Sequence, residues 1–572
     1  MPAHHRWGAA ILIVFLFYYV GSLLGNAIGL PYPATLDPGV SLRPLRGFLP
    51  FLVLPFFVLL LRRILLDRSA AAAVWLGLIA GVGLLWSNDA GIPLVLALAL
   101  GLVMALHHRI VLLVKTLGLF AAGTVASAGA VLMLVTQGEP AGWLQYNFND
   151  VAGDQFWFFA PWDRSSRILS LTDLPNILLH SGLLPTVSLM LLTGCVLWAM
   201  AARLRKRGSP VRTSAFIFVG ASVIGTALIP QIGGHIGAEY NANTFVLGIC
   251  APLIIGQRAL LRRVKPVLRN AFPTKTAVGI GVAVCVAALA MVGLEARRFA
   301  AVWANTDRTA YDAALGFHVT PEYAADLAAM RQLARAWDAQ GIPQDRRLLS
   351  VYTSPLDIAA GVESPQPVGS LIHALGSQNR AAYTALVAEQ QVAAVTTIAP
   401  DYSGWEGWIT RANWPFFESL RTQYRPMART DQNVLWLPSP SSDPLGEARC
   451  AVAPVSASRL RVTITGAQEG TASVRIERSG AYATGRSAVL TVIENSPYTR
   501  APSGRAWRDF PRYSVANDRI VSVPAPVELG DVTELTLEVL DGSVIGAAEC
   551  SAQIFPPIDF GALPSLAAGF DA

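Results

Sequence analysis

Charged residues are scarce in this sequence. Only 14% of its 572 residues are Asp, Glu, Lys or Arg, whereas 53% are hydrophobic and the mean hydropathy is +0.44. An average soluble protein is about 25% charged. The shortage excludes a wholly soluble protein, and it is concentrated in the first half of the chain. Beyond Arg297, charged residues are interspersed as in a globular domain.

Recognisable catalytic motifs are also lacking. The sequence contains no phosphate-binding glycine loop, no metal-ligand spacing of Cys and His, and no nucleophile elbow. No metal site is therefore assigned, although a divalent metal requirement stays open. Of five cysteines, three lie in apolar runs, and the other two are Cys450 and Cys550. This pair either forms a disulfide in an oxidising compartment or stays reduced, and the sequence leaves both possibilities open.

The apolar runs predict a polytopic bundle of transmembrane helices in a first domain, residues 1–300. A bilayer core of about 30 Å requires roughly 20 apolar residues in a helix. This criterion predicts about nine spans, near residues 8–30, 47–66, 70–87, 90–106, 110–136, 176–202, 213–232, 242–260 and 276–295.

The basic residues predict how the bundle is oriented. Clusters of Arg, Lys and His follow the second, fourth, sixth and eighth predicted spans, and basic residues are retained on the cytoplasmic side. We therefore expect a multi-pass protein of the cytoplasmic (inner) membrane with its C-terminal region extracytoplasmic. The net charge of +6 then reflects loops at an anionic lipid surface and not a nucleic-acid partner.

The remainder of the chain predicts two extracytoplasmic domains. In residues 301–442, helical and strand patterns alternate, which is typical of a small α/β domain. Thr320 followed by Pro321 predicts the start of one helix, and Gly341 its end. In residues 443–572, short strands separated by turn residues predict a β-sandwich of jelly-roll type.

Candidate functional residues lie in the predicted outer loops. Asp37 is a candidate general base, with Arg43 and Arg46 as phosphate ligands. The alternative is an Asp-Pro-Gly turn beside two interfacial arginines. Asp89, in a polar segment between two apolar runs, is a second candidate catalytic carboxylate, although capping of a helix explains it equally well.

Further candidates are aromatic, acidic and glycine-rich. Asp150 and Asp154 lie among aromatic residues that suit either sugar binding or an interfacial aromatic belt. His235, Glu239 and Tyr240 follow two glycines, where they either bind phosphate and hydroxyl groups or form a flexible turn. A tryptophan cluster in the α/β region suits sugar stacking or core packing, and consists of Trp405, Trp408 and Trp414 with Asp401 and Tyr402.

The layout resembles the GT-C superfamily of integral membrane glycosyltransferases. The similar features are the glycine-rich run from Gly77 to Leu85 that leads into Ser87–Gly91, the loop from Gly234 to Tyr240, and the α/β region that ends in Val434–Leu437. The resemblance implies inverting transfer of a sugar from a polyprenyl-phosphate donor to a cell-envelope glycan acceptor. It implies Asp37 as base, with Arg43, Arg46 and His235 on the phosphate.

The first outer loop is shorter than in that superfamily. The N-terminal part of the catalytic module is therefore expected to be missing or to lie on a second membrane chain. An alternative function follows, a non-catalytic subunit for envelope glycan assembly or binding. A lipid or glycan transporter is the third hypothesis, but the internal symmetry and mid-membrane charges typical of transporters are not evident.

Overall fold

The chain divides into two compact units. The first comprises residues 1–143 and 168–300, and the second comprises residues 144–167 and 301–572. The computed structural model describes residues 49–86, 88–150, 183–232, 310–315, 317–352, 354–362, 369–400, 402, 406–439, 445–457, 459–466, 468–478, 488–492, 512–515, 520–530, 532–539 and 548–569.

The described part of the first unit is a bundle of apolar helices. They are α1 (Leu49–Leu66), α2 (Ala72–Trp86), α3 (Asn88–Leu106), α4 (Ile110–Val135), the short α5 (Pro140–Gln145) at the passage into the second unit, α6 (Leu183–Leu204) and α7 (Pro210–Ile232). Buried Leu, Val, Ala and Phe side chains form its core, in which the rings of Phe57 and Phe218 lie 4.9 Å apart.

Glycines bring α2 and α4 into close backbone contact. A Cβ atom on Gly77 or Gly81 would overlap the carbonyl oxygen of Phe120 or Thr124 on α4. On the same helix face, Ser127 Oγ donates a hydrogen bond of 2.8 Å to the Leu78 carbonyl. Small residues at a helix interface permit such an approach, and the glycine-rich run is therefore a packing surface.

The prediction of about nine spans is wrong. Three of the described helices are long and apolar enough to cross a membrane, namely α1, α4 and residues Pro210–Leu228 of α7. The apolar stretches Ala72–Trp86, Ala90–Leu106 and Leu189–Leu204 are shorter. At 1.5 Å per residue, α2 extends about 22 Å, less than a bilayer core of about 30 Å. The spans predicted at 8–30, 242–260 and 276–295 lie outside the described residues.

The second unit begins with a mixed α/β layer. Its four strands, β3 (Leu348–Ser350), β4 (Ala394–Ile398), β5 (Tyr424–Arg429) and β6 (Asn433–Pro438), lie in the order β3-β4-β6-β5, and a hairpin of β1 (Ala310–Asp312) and β2 (Phe317–Val319) precedes them. Only the β3–β4 pair is parallel. The helices are α8 (Pro321–Ala339), α9 (Pro355–Ala359), α10 (Ser377–Ala388), α11 (Glu406–Ala412) and α12 (Trp414–Gln423).

Local sequence signals explain where α8 begins and ends. The side chain of Thr320 accepts a hydrogen bond of 3.2 Å from the Tyr323 amide, with Pro321 at the first helical position. Gly341 adopts a φ of +73° just after the helix, a conformation that glycine permits. The predicted start and end of this helix are confirmed.

The C-terminal strands form one antiparallel sheet. They are β7 (Gly446–Ser456), β8 (Arg459–Gly466), β9 (Gly470–Arg478), β10 (Ala488–Val492), β11 (Arg512–Val515), β12 (Ile520–Val527), β13 (Val532–Val539) and β14 (Ala548–Phe555). Their order is β11-β10-β13-β8-β7-β14-β9-β12, and the six strands from β13 to β12 curl into a nearly closed barrel. At the seam, Thr533 Oγ1 on β13 donates to the Pro526 carbonyl on β12 over 3.0 Å.

The predicted β-sandwich is therefore wrong. A sandwich packs two separate sheets, whereas here one continuous sheet surrounds a single interior of Leu, Val, Ile and Ala side chains. Cys450 on β7 and Cys550 on β14 form a disulfide with a Cα–Cα distance of 5.8 Å. β7 and β14 pair with Ala448 opposite Ala552. Continuing this antiparallel register by two residues places Cys450 opposite Cys550.

After the barrel, the chain returns to the α/β layer. The amide of Arg429 on β5 donates a hydrogen bond of 2.9 Å to the Pro564 carbonyl. The short helix α13 (Leu566–Gly569) follows, in which Leu566 is fully buried in the cluster that includes α8 residues. The amide of Ala567 donates to Asp326 Oδ1 of α8 over 3.0 Å. The last described residues thus complete the α/β core.

Candidate functional site

Most of the predicted site residues lie outside the described part of the chain. These are Asp37, Arg43, Arg46, Asp154, His235, Glu239 and Tyr240. Asp89 lies in the first turn of α3, consistent with the capping alternative as far as the backbone goes. Asp150 is the one predicted ligand with described side-chain contacts, and its role in substrate binding stays a prediction.

Asp150 contacts the α/β layer of its own unit. It ends a short π-helix, Tyr146–Asp150, in which the Tyr146 hydroxyl donates a hydrogen bond of 2.6 Å to the His373 carbonyl. Asn379 on α10 donates to Asp150 Oδ2 over 3.1 Å and to the Leu375 carbonyl over 2.7 Å. The Asp150 carboxylate therefore fastens this segment to the start of α10.

Gly376 makes this contact possible. It has a φ of +88°, and a Cβ at that position would lie 2.7 Å from Asp150 Cγ. A residue with a side chain would be strained in the backbone and would also displace the carboxylate. Glycine at this position is thus required by the geometry on two separate grounds.

A cleft lies between the α/β layer and the barrel of this unit. Its volume is about 450 Å³, within the range of roughly 300–1,000 Å³ that is typical of small-molecule sites. The walls come from β4, α11, α12 and β6 on one side and from β9, β12 and the C-terminal return on the other. Aromatic lining residues are Trp414, Phe417, Trp436 and Phe560, and the prolines are Pro400, Pro524, Pro526 and Pro557.

Hydrogen bonds fix the two tryptophans of the cleft. Trp414 Nε1 donates to Ser473 Oγ on β9 over 2.8 Å, and this hydroxyl donates to Glu418 Oε1 over 2.8 Å. Trp436 Nε1 donates to Thr397 Oγ1 over 2.9 Å. Both indole N–H groups are satisfied within the protein, and the rings are therefore held rigidly. Trp414 is 1% and Trp436 3% exposed, so the apolar surface open to a ligand comes mainly from Phe560 and the prolines.

Two arginines supply the positive charge of the cleft. Arg411 on α11 is 9% exposed, and Arg421 on α12 donates to the Pro556 carbonyl while its guanidinium carbon lies 5.0 Å from the centre of the Phe555 ring. The described lining residues include both arginines and no carboxylate. Phe560 and the prolines beside these guanidinium groups suit a ligand that combines apolar faces with hydroxyl or anionic oxygens.

A second polar cluster lies buried behind β3. Asp357, 4% exposed, accepts hydrogen bonds from Ser350 Oγ at 2.6 Å and from the Ser354 amide at 2.7 Å. Ser350 Oγ also lies 2.8 Å from Thr396 Oγ1. Burial raises the pKa of the Asp357 carboxyl above its usual value, against the lowering effect of the serine hydrogen bonds. Asp357 completes the capping box of α9, and we assign the cluster a structural role.

The sequence identified only part of the cleft. Of the predicted tryptophan cluster, Trp414 is buried in the core and also lines the cleft, and Tyr402 is 52% exposed. Trp405 and Asp401 lie outside the described residues, as does the side chain of Trp408 on α11. The other lining residues extend from Val351 to Phe560 with no common spacing, so that no motif could have indicated them.

No metal site is evident in this part of the chain. The described residues contain no group of three or more His, Cys, Asp or Glu side chains arranged to hold an ion.

Comparison of the chain with models of protein families, with curated proteins and with solved structures finds no match. A functional assignment therefore relies on two structural features, the cleft and the segment around Asp150.

Proposed function

We propose that this protein is a membrane-embedded glycosyltransferase of the cell envelope. It takes a sugar from a polyprenyl-phosphate donor and transfers it to an envelope glycan, with the second unit on the extracytoplasmic side of the cytoplasmic membrane. The three helices that can cross a membrane support the membrane location. The Cys450–Cys550 disulfide supports an oxidising compartment for the second unit.

The observation that carries the proposal is the aromatic cleft. Sugar rings have apolar faces that stack on Trp and Phe, and hydroxyl groups that accept hydrogen bonds from guanidinium groups. The cleft offers the partly exposed ring of Phe560 together with Arg411 and Arg421 within about 450 Å³. We assign it to the acceptor glycan, because an acceptor must be held while its hydroxyl attacks the donor sugar.

The reacting groups of this proposal are the candidate residues of the predicted outer loops. In this proposal Asp37 takes the proton of the acceptor hydroxyl, and Arg43, Arg46 and His235 bind the donor phosphate as it leaves. Asp89, Asp154, Glu239 and Tyr240 complete the sugar and phosphate contacts. Asp150 acts indirectly, since its carboxylate fastens the segment Tyr146–Asp150 to α10.

An assay of the purified full-length protein tests the chemistry. A panel of polyprenyl-phosphate sugars is offered with and without a chelator, and release of polyprenyl phosphate is followed. We expect release with one donor and a loss of at least about a hundredfold in Asp37→Asn, the size expected for a lost general base. No release with any donor, from protein that keeps its native melting temperature, contradicts the transferase proposal.

A second experiment tests the cleft itself. Thr410, on the wall of the cleft, is replaced by Trp to fill it, and Met427, 50% exposed on β5, is replaced by Trp as the matched control. Binding to immobilised linear oligosaccharides of pentoses and hexoses is then measured. We expect Thr410→Trp to abolish binding and Met427→Trp to retain it. Equal binding by both variants argues against a glycan in the cleft.

The second candidate is a non-catalytic subunit that binds envelope glycans. The observation in its favour concerns Asp150, a predicted substrate ligand. Its carboxylate accepts hydrogen bonds from Gln145 and Asn379 and so holds its own segment in place. This candidate predicts glycan binding that Thr410→Trp abolishes, without donor consumption. It also predicts that a second membrane chain restores transfer when added.

A further inference from the structure

Three connections between helices meet at one end of the first unit. Arg109, between α3 and α4, donates from its guanidinium to the Leu65 carbonyl near the end of α1, over 3.5 Å. Arg203, near the end of α6, donates over 3.0 Å to the Ala105 carbonyl near the end of α3. Residues 67–71, 107–109 and 205–209 are therefore neighbours. We call this region the basic end of the unit.

Positive charge dominates the basic end. Its connections and the helix turns beside them contain the basic residues Arg62, Arg63, Arg68, His107, His108, Arg109, Arg203, Arg205, Lys206, Arg207 and Arg212, and the single carboxylate Asp67. The rings of His107 and His108 lie 3.6 Å apart. Partial desolvation, followed by the charges of His107, Lys206 and Arg203, lowers the pKa of His108, which shows that these groups are close enough to repel one another.

Two buried nitrogen atoms in this cluster have no hydrogen-bond partner among the described residues. Arg203 is 7% exposed, and although one of its terminal nitrogens donates to Ala105, its Nε has no partner. His107 Nδ1 bonds the Met104 carbonyl over 3.0 Å, while its Nε2 is buried and also lacks a partner. The Nε–H of Arg203 is a donor, and its burial without a partner costs free energy that an acceptor oxygen would recover.

Exposed apolar side chains surround the cluster. Leu66, Ile110, Val111 and Leu204 are 79%, 62%, 72% and 55% exposed, and all lie within a few residues of the basic connections. A free inorganic anion makes no use of such a surface. A lipid does, because its acyl chains cover apolar residues while its headgroup meets basic residues at the membrane boundary.

We propose that the basic end binds the phosphate of an anionic phospholipid, held between Arg203, His107, His108 and Lys206. The phosphate oxygens accept hydrogen bonds from the guanidinium of Arg203. Lys206 and His108, both exposed, close over the outer side of the headgroup. The acyl chains lie along the exposed apolar residues at the ends of α1, α4 and α6.

The experiment uses purified, delipidated full-length protein in neutral detergent. Phosphatidylglycerol, phosphatidylcholine of the same acyl chains, or inorganic phosphate is titrated, and binding is followed by the rise in melting temperature. We expect saturable stabilisation by phosphatidylglycerol, with at least tenfold weaker binding of phosphatidylcholine. Stabilisation by inorganic phosphate equal to that by phosphatidylglycerol would overturn the assignment to a lipid.

Two exposed residues provide variants that leave the buried core intact. Each basic residue near the headgroup is worth about 1 kcal/mol, or about fivefold in affinity. We therefore expect Lys206→Gln and His108→Gln each to weaken phosphatidylglycerol binding about fivefold, with an unchanged melting temperature before lipid is added. The matched control is Lys115→Gln, an exposed lysine on α4 outside the cluster. Equal losses in Lys115→Gln and Lys206→Gln would show general surface attraction and refute a site.

Discussion

The Cys450–Cys550 disulfide makes a measurable prediction about the stability of the barrel. It closes a loop of 100 residues, for which chain entropy alone gives about 4.7 kcal/mol and measured disulfides typically give about 2–4 kcal/mol. Both cysteines pack partly buried against the barrel core, and alanine therefore replaces them without adding a buried polar group. For a unit of this size, each kcal/mol corresponds to roughly 2–4 °C. We expect the double variant Cys450→Ala/Cys550→Ala to unfold roughly 4–16 °C lower.

The measurement requires a background in which the other three cysteines, Cys195, Cys250 and Cys285, are replaced by alanine. In this protein, reaction with a maleimide under denaturing conditions should label no thiol before reduction and two thiols afterwards. The melting temperature is then compared with and without reductant. As a control, Cys195→Ala alone should leave the effect of the reductant unchanged.

Two results would refute the reasoning. Labelling of two thiols before reduction would show that the cysteines do not pair in the isolated protein. An unchanged melting temperature after complete reduction would show that the barrel does not depend on the covalent link.

Three further predictions follow from single residues. Gly81→Ala should lower the free energy of unfolding by about 1–3 kcal/mol, because a Cβ there overlaps the backbone of α4, whereas Gly118→Ala, with open space around it, should not destabilise in the same thermal assay. Gly376→Ala should expose the π-helix segment to limited proteolysis. Arg331 donates hydrogen bonds to both oxygens of Asp312, which lowers the pKa of that carboxyl. This stabilisation is present above the unfolded-state pKa of Asp312 and is lost as the pH falls through its folded-state pKa. Asp312→Asn should therefore show a smaller fall in melting temperature below about pH 4.

Local signals in the sequence identified many of the elements. Thr320 and Pro321 predicted the start of α8, and the short strands predicted within residues 443–572 include β8, Arg459–Gly466. The strand β5 was missed, since Pro426 interrupts its pattern, and the structure shows an irregular register at that residue. Helix-capping residues and the alternation of apolar and polar residues depend only on neighbours in the sequence. They can therefore be recognised without knowledge of the fold.

Features that depend on distant contacts could not be predicted. The strand patterns of a sandwich and a barrel are alike, and the difference lies in the approach of β13 to β12 at the seam, where Thr533 donates a hydrogen bond to the Pro526 carbonyl. Similarly, α2 is as apolar as a membrane span, and only its length of 15 residues distinguishes it. The cleft has no motif because its lining comes from six elements and the C-terminal return.

The return of the chain after the barrel has a consequence for biosynthesis. Leu566 fills a site in the α/β core whose other residues, such as Leu327 and Leu435, are translated much earlier. The α/β layer can therefore reach its final packing only after the chain has been synthesised as far as Leu566 and this residue has left the ribosome. A chain that ends before Leu566 would lack this apolar side chain and would expose the apolar residues that it covers. Proteolytic quality control can recognise such a defect.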